Sequence, residues 1–461
     1  MTDDAHAARR PSRADGRPAA PVRSVHLGLG NFFRAHQCWF TEHAPDAADW
    51  GIAAFTGMAL GPAQDIADQD GVYTLVVQAA DGDVPETISS LTEVHGSDEL
   101  DAWRRVFELP DLAFVSTTVT EAGYRRSADG GLDQSDPEVV ADIAKLRADG
   151  LGAEVTTAPG KLILALMVRR EKGFGGFTVL PCDNVPDNGE MAERVLTEMA
   201  QAVDSGLSGW IAENITFVTT MVDRITPRAT DADLDALRAR GIDDPAAVVT
   251  EPYLEWVLSG EFRAGRPRWE EVGARFVADI VPWEHRKLWL LNGSHSLMAY
   301  AAPIRGHATV ADAITDPVVR GWVEEWWDEA CRHLPLPEAE LTAYRQALVE
   351  RFANPRIRHL LAQIAADGSQ KVPIRIVPTA QGELAAGRPA TGALRAIAAW
   401  VLHLSGKGAP VTDAQGAAYV ELAAQPLERA IPAILATLGI DDAAAAQRCV
   451  DLAGEIENGD D

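Results

Sequence analysis

Lys287, Asn292 and His295 lie within nine residues of one another in the apolar run WEHRKLWLLNGSH, Trp283 to His295. An amine, an amide and an imidazole together suit the oxidation of a secondary alcohol. Removing hydride from the carbinol carbon requires a base for the hydroxyl proton, and a partly desolvated lysine, its pKa drawn toward neutrality, can be that base. An amide such as Asn292 can donate to the oxygen as charge develops on it, and His295 can orient the same oxygen or its neighbour. If the stretch is a helix, with Pro282 in its first turn and Pro303 beyond its end, a step of about 100° per residue sets Lys287 at 0°, His295 near 80° and Asn292 near 140°. All three then share one sector while the leucines fill the rest. The competing reading is an amphipathic helix whose Lys and His snorkel to solvent. Usage weighs against it: the chain has six lysines and thirty-five arginines, so a lysine inside an apolar helix is unlike the ordinary surface cation here.

Other polar groups fall at strand ends. LPCDNVPDNG brings Asp183 and Asn184 just past a strand, where ligand crevices of open α/β sheets lie, and MVDRITP does the same for Asp223 and Arg224. An Asx turn or helix cap is the plain alternative for each. DGSQKVP presents Lys371 in a polar turn, as a cation for an oxygen-rich substrate or as an exposed loop residue. In VHLGLGNFFRAHQ, Gly28 and Gly30 follow the first strand and precede a helix, as in a turn that lets the backbone approach a pyrophosphate. Phe33 takes the place of the usual third glycine. Phe32 and Arg34 complete the candidate cofactor set, Arg34 as a cation near the phosphates or as a solvated helix residue. FTGMALGPAQD, after the second strand, holds no acid before Asp65 and no Arg or Lys for a 2′-phosphate. NAD is preferred, with NADP possible.

The elements that must position these groups divide the chain. From Pro21 to about residue 275, the apolar runs VRSVHLGLG, WGIAAFTG, DLAFVSTTV, KLILALMV, FTVLPCDN and NITFVTTMVDRI read as strands. Helical patterns lie between several of them, around Glu99 to Phe107, Pro137 to Ala148 and Gly189 to Val203. Short, nearly continuous apolar strands separated by helices indicate a parallel sheet covered on both faces. From 276 to 461 the patterns are helical, over 283–300, 318–332, 337–352 and 391–404. The expected fold is thus an α/β Rossmann-type domain over 21–275, a mainly α-helical domain over 276–461, and a mobile polar tail over 1–20. Length alone suggests two or three domains.

A formal charge of −27 argues against a nucleic-acid or anionic-membrane partner, since phosphate binding needs a basic footprint. No apolar run reaches the length of a membrane span, and the first twenty residues lack the apolar segment of a secretory signal. Cys38, Cys182, Cys331 and Cys449 are far apart and show no metal-ligand spacing, which fits a reducing cytoplasm without structural zinc.

Together these segments resemble the polyol-specific long-chain dehydrogenase family, which includes mannitol 2-dehydrogenase and fructuronate reductase. The resemblance runs, in order, through GLGNFFRAHQ, QDGVYTL, TVTEAGY, CDNVPDNG, MVDRITP, EHRKLWLLNGSH and RFANPRIRHLLAQIAADGSQK. MVDRITP and the Lys-x4-Asn-x2-His pattern are its specific parts. It implies a Rossmann-type domain followed by a helical domain, with the active site in the cleft between them. It places the general acid/base on Lys287, the oxyanion-binding amides on Asn184 and Asn292, and the substrate-orienting histidine on His295. A carboxylate that gates a proton path in some members matches Glu284, and Asp223 and Lys371 match substrate-contacting positions. Metal-independent chemistry with NAD or NADP is implied, on a small polyol, ketose or uronate, by a monomer or dimer. Two positions depart from the pattern. Gln363 stands where mannitol 2-dehydrogenases carry an arginine eight residues before the late lysine, and the ribose-binding acid after the second strand is missing. Mannitol/fructose and mannonate/fructuronate are both open as substrate pairs. Mannitol 1-phosphate lacks a phosphate cluster, and a non-catalytic dinucleotide sensor would leave the Lys/Asn/His set without a use.

Overall fold

The computed structural model describes residues 8–15, 18–57 and 63–458; part of the acid-poor segment after the second strand, 58–62, lies outside them. The chain forms two compact units, Met1–Ile280 and Val281–Asp461. In chain order the strands of the first are Val22–Leu27 (β1), Gly51–Phe55 (β2), Tyr73–Ala79 (β3), Gly82–Ile88 (β4), Leu91–His95 (β5), Phe114–Thr117 (β6), Thr178–Pro181 (β7), Thr216–Phe217 (β8), Thr219–Asp223 (β9), Val248–Thr250 (β10), Glu255–Ser259 (β11) and Arg275–Phe276 (β12).

β5-β2-β1-β6-β7-β8 make one sheet whose neighbours all run parallel. Every residue of β2, β6 and β7 is buried, as expected of parallel strands covered on both faces. One face packs Val25, Leu27, Val115 and Val179 against helices Leu100–Phe107, Pro137–Asp149, Ala158–Glu171 and Asn188–Val203. The other sets Trp50, Phe114 and Leu180 against Phe40, Trp256 and Trp269. The strand order reverses direction between β1 and β6, the switch point at which Rossmann-type sheets bind dinucleotides.

One expected strand is a helix. KLILALMV lies in Ala158–Glu171, where Thr157 caps the first turn by accepting from the Gly160 N–H and Pro159 sits at the start. A continuous apolar run cannot by itself distinguish a buried strand from a buried helix. Its leucines and methionine are good helix formers, and Pro159 through Leu166 are all buried. Residues 73–88, which the expected strand set omits, form the β3–β4 hairpin. The described part of the polar leader also departs from a mobile tail. The Arg9 N–H donates to the Gly241 carbonyl at 3.0 Å, and Arg13 Nε donates to the Asp70 carbonyl at 2.9 Å.

The second unit is built on Thr391–Leu404, a helix buried along nearly its whole circumference, the signature of a central core helix. Ser294–Ala301, Pro317–Cys331 and Ala443–Asn458 pack around it. No helix among the described residues is long and apolar enough to cross a membrane.

Candidate active site

The stretch expected to be one α-helix over 283–300 consists of three consecutive segments. Val281–Arg286 is α-helical, Lys287–Gly293 is π-helical, and Ser294–Ala301 returns to α. π-Helical hydrogen bonds reach i+5, so residues five apart stand roughly one turn above each other rather than about 140° apart. Lys287 and Asn292 are such a pair. His295, three residues after Asn292 and in α-helix, stays on the same side. The wide turn therefore draws the three groups closer in angle than a regular helix would. Lys287 and Asn292 are half-buried and His295 is buried.

Two tryptophans of Pro317–Cys331 hold this turn. Trp326 Nε1 donates to the Trp289 carbonyl at 2.9 Å, and Trp327 Nε1 donates to the Leu290 carbonyl at 3.0 Å. The hydroxyl of Ser294 donates to the same Leu290 oxygen. A π turn leaves its carbonyls poorly matched to the ladder, and side-chain donors inserted there stabilise it. Gly293 makes room for them, since a Cβ on it would lie 2.7 Å from Trp326 Cζ2 and 2.9 Å from Trp326 Nε1. Gly293→Ala is accordingly expected to lower stability by about 1–3 kcal/mol through overpacking, and to lower kcat with it as the turn shifts. Thermal unfolding and steady-state rates measure both; wild-type values for each would show that Trp326 can yield.

The imidazole of His295 packs against Phe352 at 4.9 Å and edge-on to His359 at 5.0 Å. Burial lowers the His359 pKa, which favours its neutral form. Glu284 is half-buried in the turn before Lys287. Lys371 is in the helix Gly368–Arg375, not in the expected polar turn, and its ammonium donates to the carbonyls of Ile364, at 3.2 Å, and Ala366. On that helix Arg375 Nη1 donates to Ser296 Oγ at 3.2 Å and to the Asn292 carbonyl at 3.5 Å. This contact with the π turn was not anticipated, because nothing in the spacing of DGSQKVPIR ties it to residue 292.

In the first unit the glycine turn lies at the switch point. Gly28 has φ +111°, its N–H donates to the Phe55 carbonyl at 2.9 Å, and its own carbonyl accepts from Thr118 Oγ1 at 2.8 Å. At Gly30 an added Cβ would meet the Gly28 carbonyl oxygen at 3.6 Å, an ordinary contact among the described residues, which leaves the room that close approach of a pyrophosphate to the backbone demands. Phe33, in place of a third glycine, is buried and stacked on His26. Burial drives the His26 pKa down to about 3, against the pull of the Gly28 carbonyl. Phe32 stacks on His36 at 5.0 Å. Arg34 differs from both readings of it. It is buried, donates to the Ala246 carbonyl and to Asn31 Oδ1, and lies over the Tyr73 ring. It acts as an internal strut, not a cation facing phosphates or solvent.

Asp183 and Asn184 follow β7. Asp183 is buried, and its Oδ2 accepts from Tyr124 Oη at 2.5 Å and Thr117 Oγ1 at 3.0 Å. Burial raises its pKa to about 7, opposed by the hydrogen bonds from Tyr124 and Thr117. Asn184 is exposed. Asn188 ties this loop to β9: its Nδ2 donates to the carbonyls of Asp183 and Thr220, and its Oδ1 accepts from the Thr220 N–H. Asp223, at the end of β9 opposite Glu255, is buried. Arg224 beside it is spent on the carbonyls of Glu251 and Ala35. The second asparagine of CDNVPDNG thus secures two of the expected site segments to each other. Among the described residues no group of three or more His, Cys, Asp or Glu is placed to hold a metal ion.

Comparison with known proteins covers both units. The model of the mannitol dehydrogenase Rossmann domain matches residues 22–271, and that of the mannitol dehydrogenase C-terminal domain matches residues 279–440. The chain is 39% identical over 399 residues to D-mannonate oxidoreductase of Escherichia coli, covering 83% of this chain and 80% of that protein. It is 31% identical over 397 residues to mannitol 2-dehydrogenase of Cereibacter sphaeroides, covering 83% and 80%. Among solved structures, Pseudomonas fluorescens mannitol 2-dehydrogenase in ternary complex with NAD and D-mannitol aligns at TM-score 0.78 and 31% identity, over 95% of this chain and 92% of that one. Substrate-free D-sorbitol dehydrogenase aligns at 0.88 and 29%, over 99% and 96%. With both domain models matched in order along most of its length, this chain belongs to the mannitol dehydrogenase family.

Proposed function

We propose that this protein interconverts a secondary alcohol of a sugar alcohol or aldonate with the corresponding ketone, using NAD and no metal ion, with Lys287 as the general acid/base. Membership of the family makes the chain an oxidoreductase acting on CH–OH groups. The observation that carries the finer reading is the π turn, which gathers Lys287, Asn292 and His295 on one side and is held by two tryptophan indoles. Relatives named for mannitol and for mannonate, and a structural neighbour bound to NAD and D-mannitol, support the substrate class and the cofactor.

Gly28 and Gly30 at the switch point suit the pyrophosphate of a dinucleotide, which when bound supplies the hydride acceptor. In the oxidative direction the amine of Lys287 takes the hydroxyl proton as the carbon–hydrogen pair leaves as hydride. The side-chain amide of Asn292 donates to the oxygen while it carries charge, and His295 fixes its direction. Lys371 binds another substrate oxygen, and Glu284 passes the proton from Lys287 outward. In reduction the same groups act in reverse, with Lys287 as the acid.

The test is a panel of hexitols, pentitols, aldonates and phosphorylated hexitols with NAD and with NADP, followed by the absorbance of the reduced nicotinamide. Turnover of a non-phosphorylated hexitol or aldonate with NAD is expected. Turnover confined to phosphorylated hexitols, or none at all, would overturn the reading.

A further inference from the structure

His26 is a fully buried imidazole to which the proposed reaction gives no role. It stands on β1 opposite Ser116 of β6, two residues before Gly28. Both of its ring nitrogens are engaged. Nδ1 lies 2.9 Å from Ser116 Oγ, and Nε2 lies 2.9 Å from Thr118 Oγ1. The Thr118 hydroxyl in turn donates to the Gly28 carbonyl at 2.8 Å.

These contacts decide which nitrogen carries the proton. A hydroxyl has one hydrogen to give, and that of Thr118 goes to Gly28. Thr118 Oγ1 therefore accepts from His26, and Nε2 is the N–H. Burial keeps the ring uncharged, with its pKa drawn down to about 3, so Nδ1 has a lone pair and accepts from the Ser116 hydroxyl. The other acceptor within reach of that hydroxyl, the Val25 carbonyl, is farther away at 3.4 Å. All three bonds point the same way, from Ser116 to His26 to Thr118 to Gly28, an alignment in which each polarises the next. Phe33 fixes the plane of the ring: it lies face to face on His26, centroids 3.4 Å and planes 1° apart. In the glycine fingerprint the third glycine lets the helix pack closely on the strand. Here the phenyl ring in that place packs on the imidazole of the strand and holds the donor that steers Thr118.

The relay ends on one peptide group of the turn. The Leu29 N–H donates to the Phe55 carbonyl of β2 at 3.0 Å, while the Gly28 carbonyl accepts from Thr118 at the end of β6. The Gly28–Leu29 peptide is thus pinned on both sides, and the pin from β6 is oriented by His26. We infer that His26 is a positioning residue for the dinucleotide: through Thr118 it fixes the Gly28–Leu29 peptide, and with it the path of the backbone that a pyrophosphate approaches. The inference rests on the reading of Gly28 and Gly30 as the pyrophosphate turn.

The competing role for His26 is a core residue that fills space and has satisfied its polar atoms. Two amides at position 26 separate the roles, because the side-chain nitrogen of Gln reaches the place of Nε2 and that of Asn the place of Nδ1. Both put an amide in the same buried place, so both should lower the melting temperature by a similar amount. His26→Gln should keep the Kd for NADH within about threefold of the wild type, whereas His26→Asn should raise it at least about tenfold, the scale of one lost hydrogen bond. Thr118→Val should behave as His26→Asn and Thr118→Ser as the wild type. In nitrogen-15 spectra of the histidine-labelled wild type, the signal that His26→Gln removes should be that of a neutral Nε2–H ring at about pH 5 and about pH 8 alike. An Nδ1–H ring, or equal NADH affinities for the Gln and Asn variants, would overturn the inference. Gly30→Ala tells its failure from that of the turn reading. If Gly30→Ala weakens NADH binding and His26→Asn does not, this inference alone fails; if neither does, the turn reading falls and takes it along. Should the variants at position 26 not fold, the Thr118 pair decides.

Discussion

Lys287→Ala is expected to lower kcat by about 10²–10⁴-fold, the usual contribution of a positioned acid/base, while nucleotide binding persists. The size follows from what is removed. Without the amine, the hydroxyl proton must pass to water or to another group, and the reacting oxygen loses the positive charge that the protonated amine would supply. Because these interactions are made chiefly in the transition state, the loss should appear in kcat and kcat/KM together rather than in KM alone. Two further readouts separate a lost base from a disturbed fold. The limb of the pH–rate profile that belongs to the lysine should vanish in the variant, and small exogenous amines should restore part of the rate. Turnover of polyols and aldonates at the wild-type rate would remove Lys287 from the mechanism.

Lys287 stands out in the sequence as a candidate because its type is scarce in this chain and because Asn292 and His295 follow at a helical spacing. Its geometry was not. A step of 100° per residue leaves Asn292 well around the helix from Lys287, and only the π turn brings it back. The cause of that turn lies about forty residues away in Trp326 and Trp327, which no local pattern connects to residues 287–293. Gly293 inside WLLNGSH was the one local sign, a glycine in a helix that must serve some close approach. The same limit explains KLILALMV. Burial all round erases the periodicity by which a helix is told from a strand, and length then argues poorly for either. Short buried strands in alternation with helices were read correctly at β1, β2, β6 and β7, where flanking glycines and polar turns mark the ends. Arg34 and Arg375 fall on the other side of the line. A sequence shows that an arginine is present, but its partners are tertiary: the Ala246 carbonyl for the first, and the Asn292 carbonyl and Ser296 hydroxyl for the second.

The glycine turn supports the second large prediction, because its two glycines are needed for different reasons. At Gly28 an added Cβ would lie 2.2 Å from the Thr118 carbonyl oxygen and 2.7 Å from its carbon, at a φ of +111°. Neither atom belongs to a flexible side chain. Withdrawing that strand end would break the bond from the Thr118 N–H to the Leu27 carbonyl and that from Thr118 Oγ1 to Gly28 itself. Gly28→Ala should therefore cost about 2–5 kcal/mol, from backbone strain and overpacking together, and weaken NAD binding at least about tenfold as the turn is displaced. Gly30 has extended backbone, φ −130° and ψ −178°, and among the described residues beyond its chain neighbours the one atom within 4 Å of an added Cβ is the Gly28 carbonyl oxygen at 3.6 Å. Gly30→Ala should leave the melting temperature nearly unchanged and still reduce NAD affinity, since its methyl group occupies the space a pyrophosphate approaches. Thermal unfolding and a fluorescence titration with the reduced nucleotide distinguish the two variants. If Gly30→Ala binds as tightly as the wild type, the phosphates do not pass over this turn. If Gly28→Ala keeps its melting temperature, the close contact between β1 and β6 is not what requires glycine there.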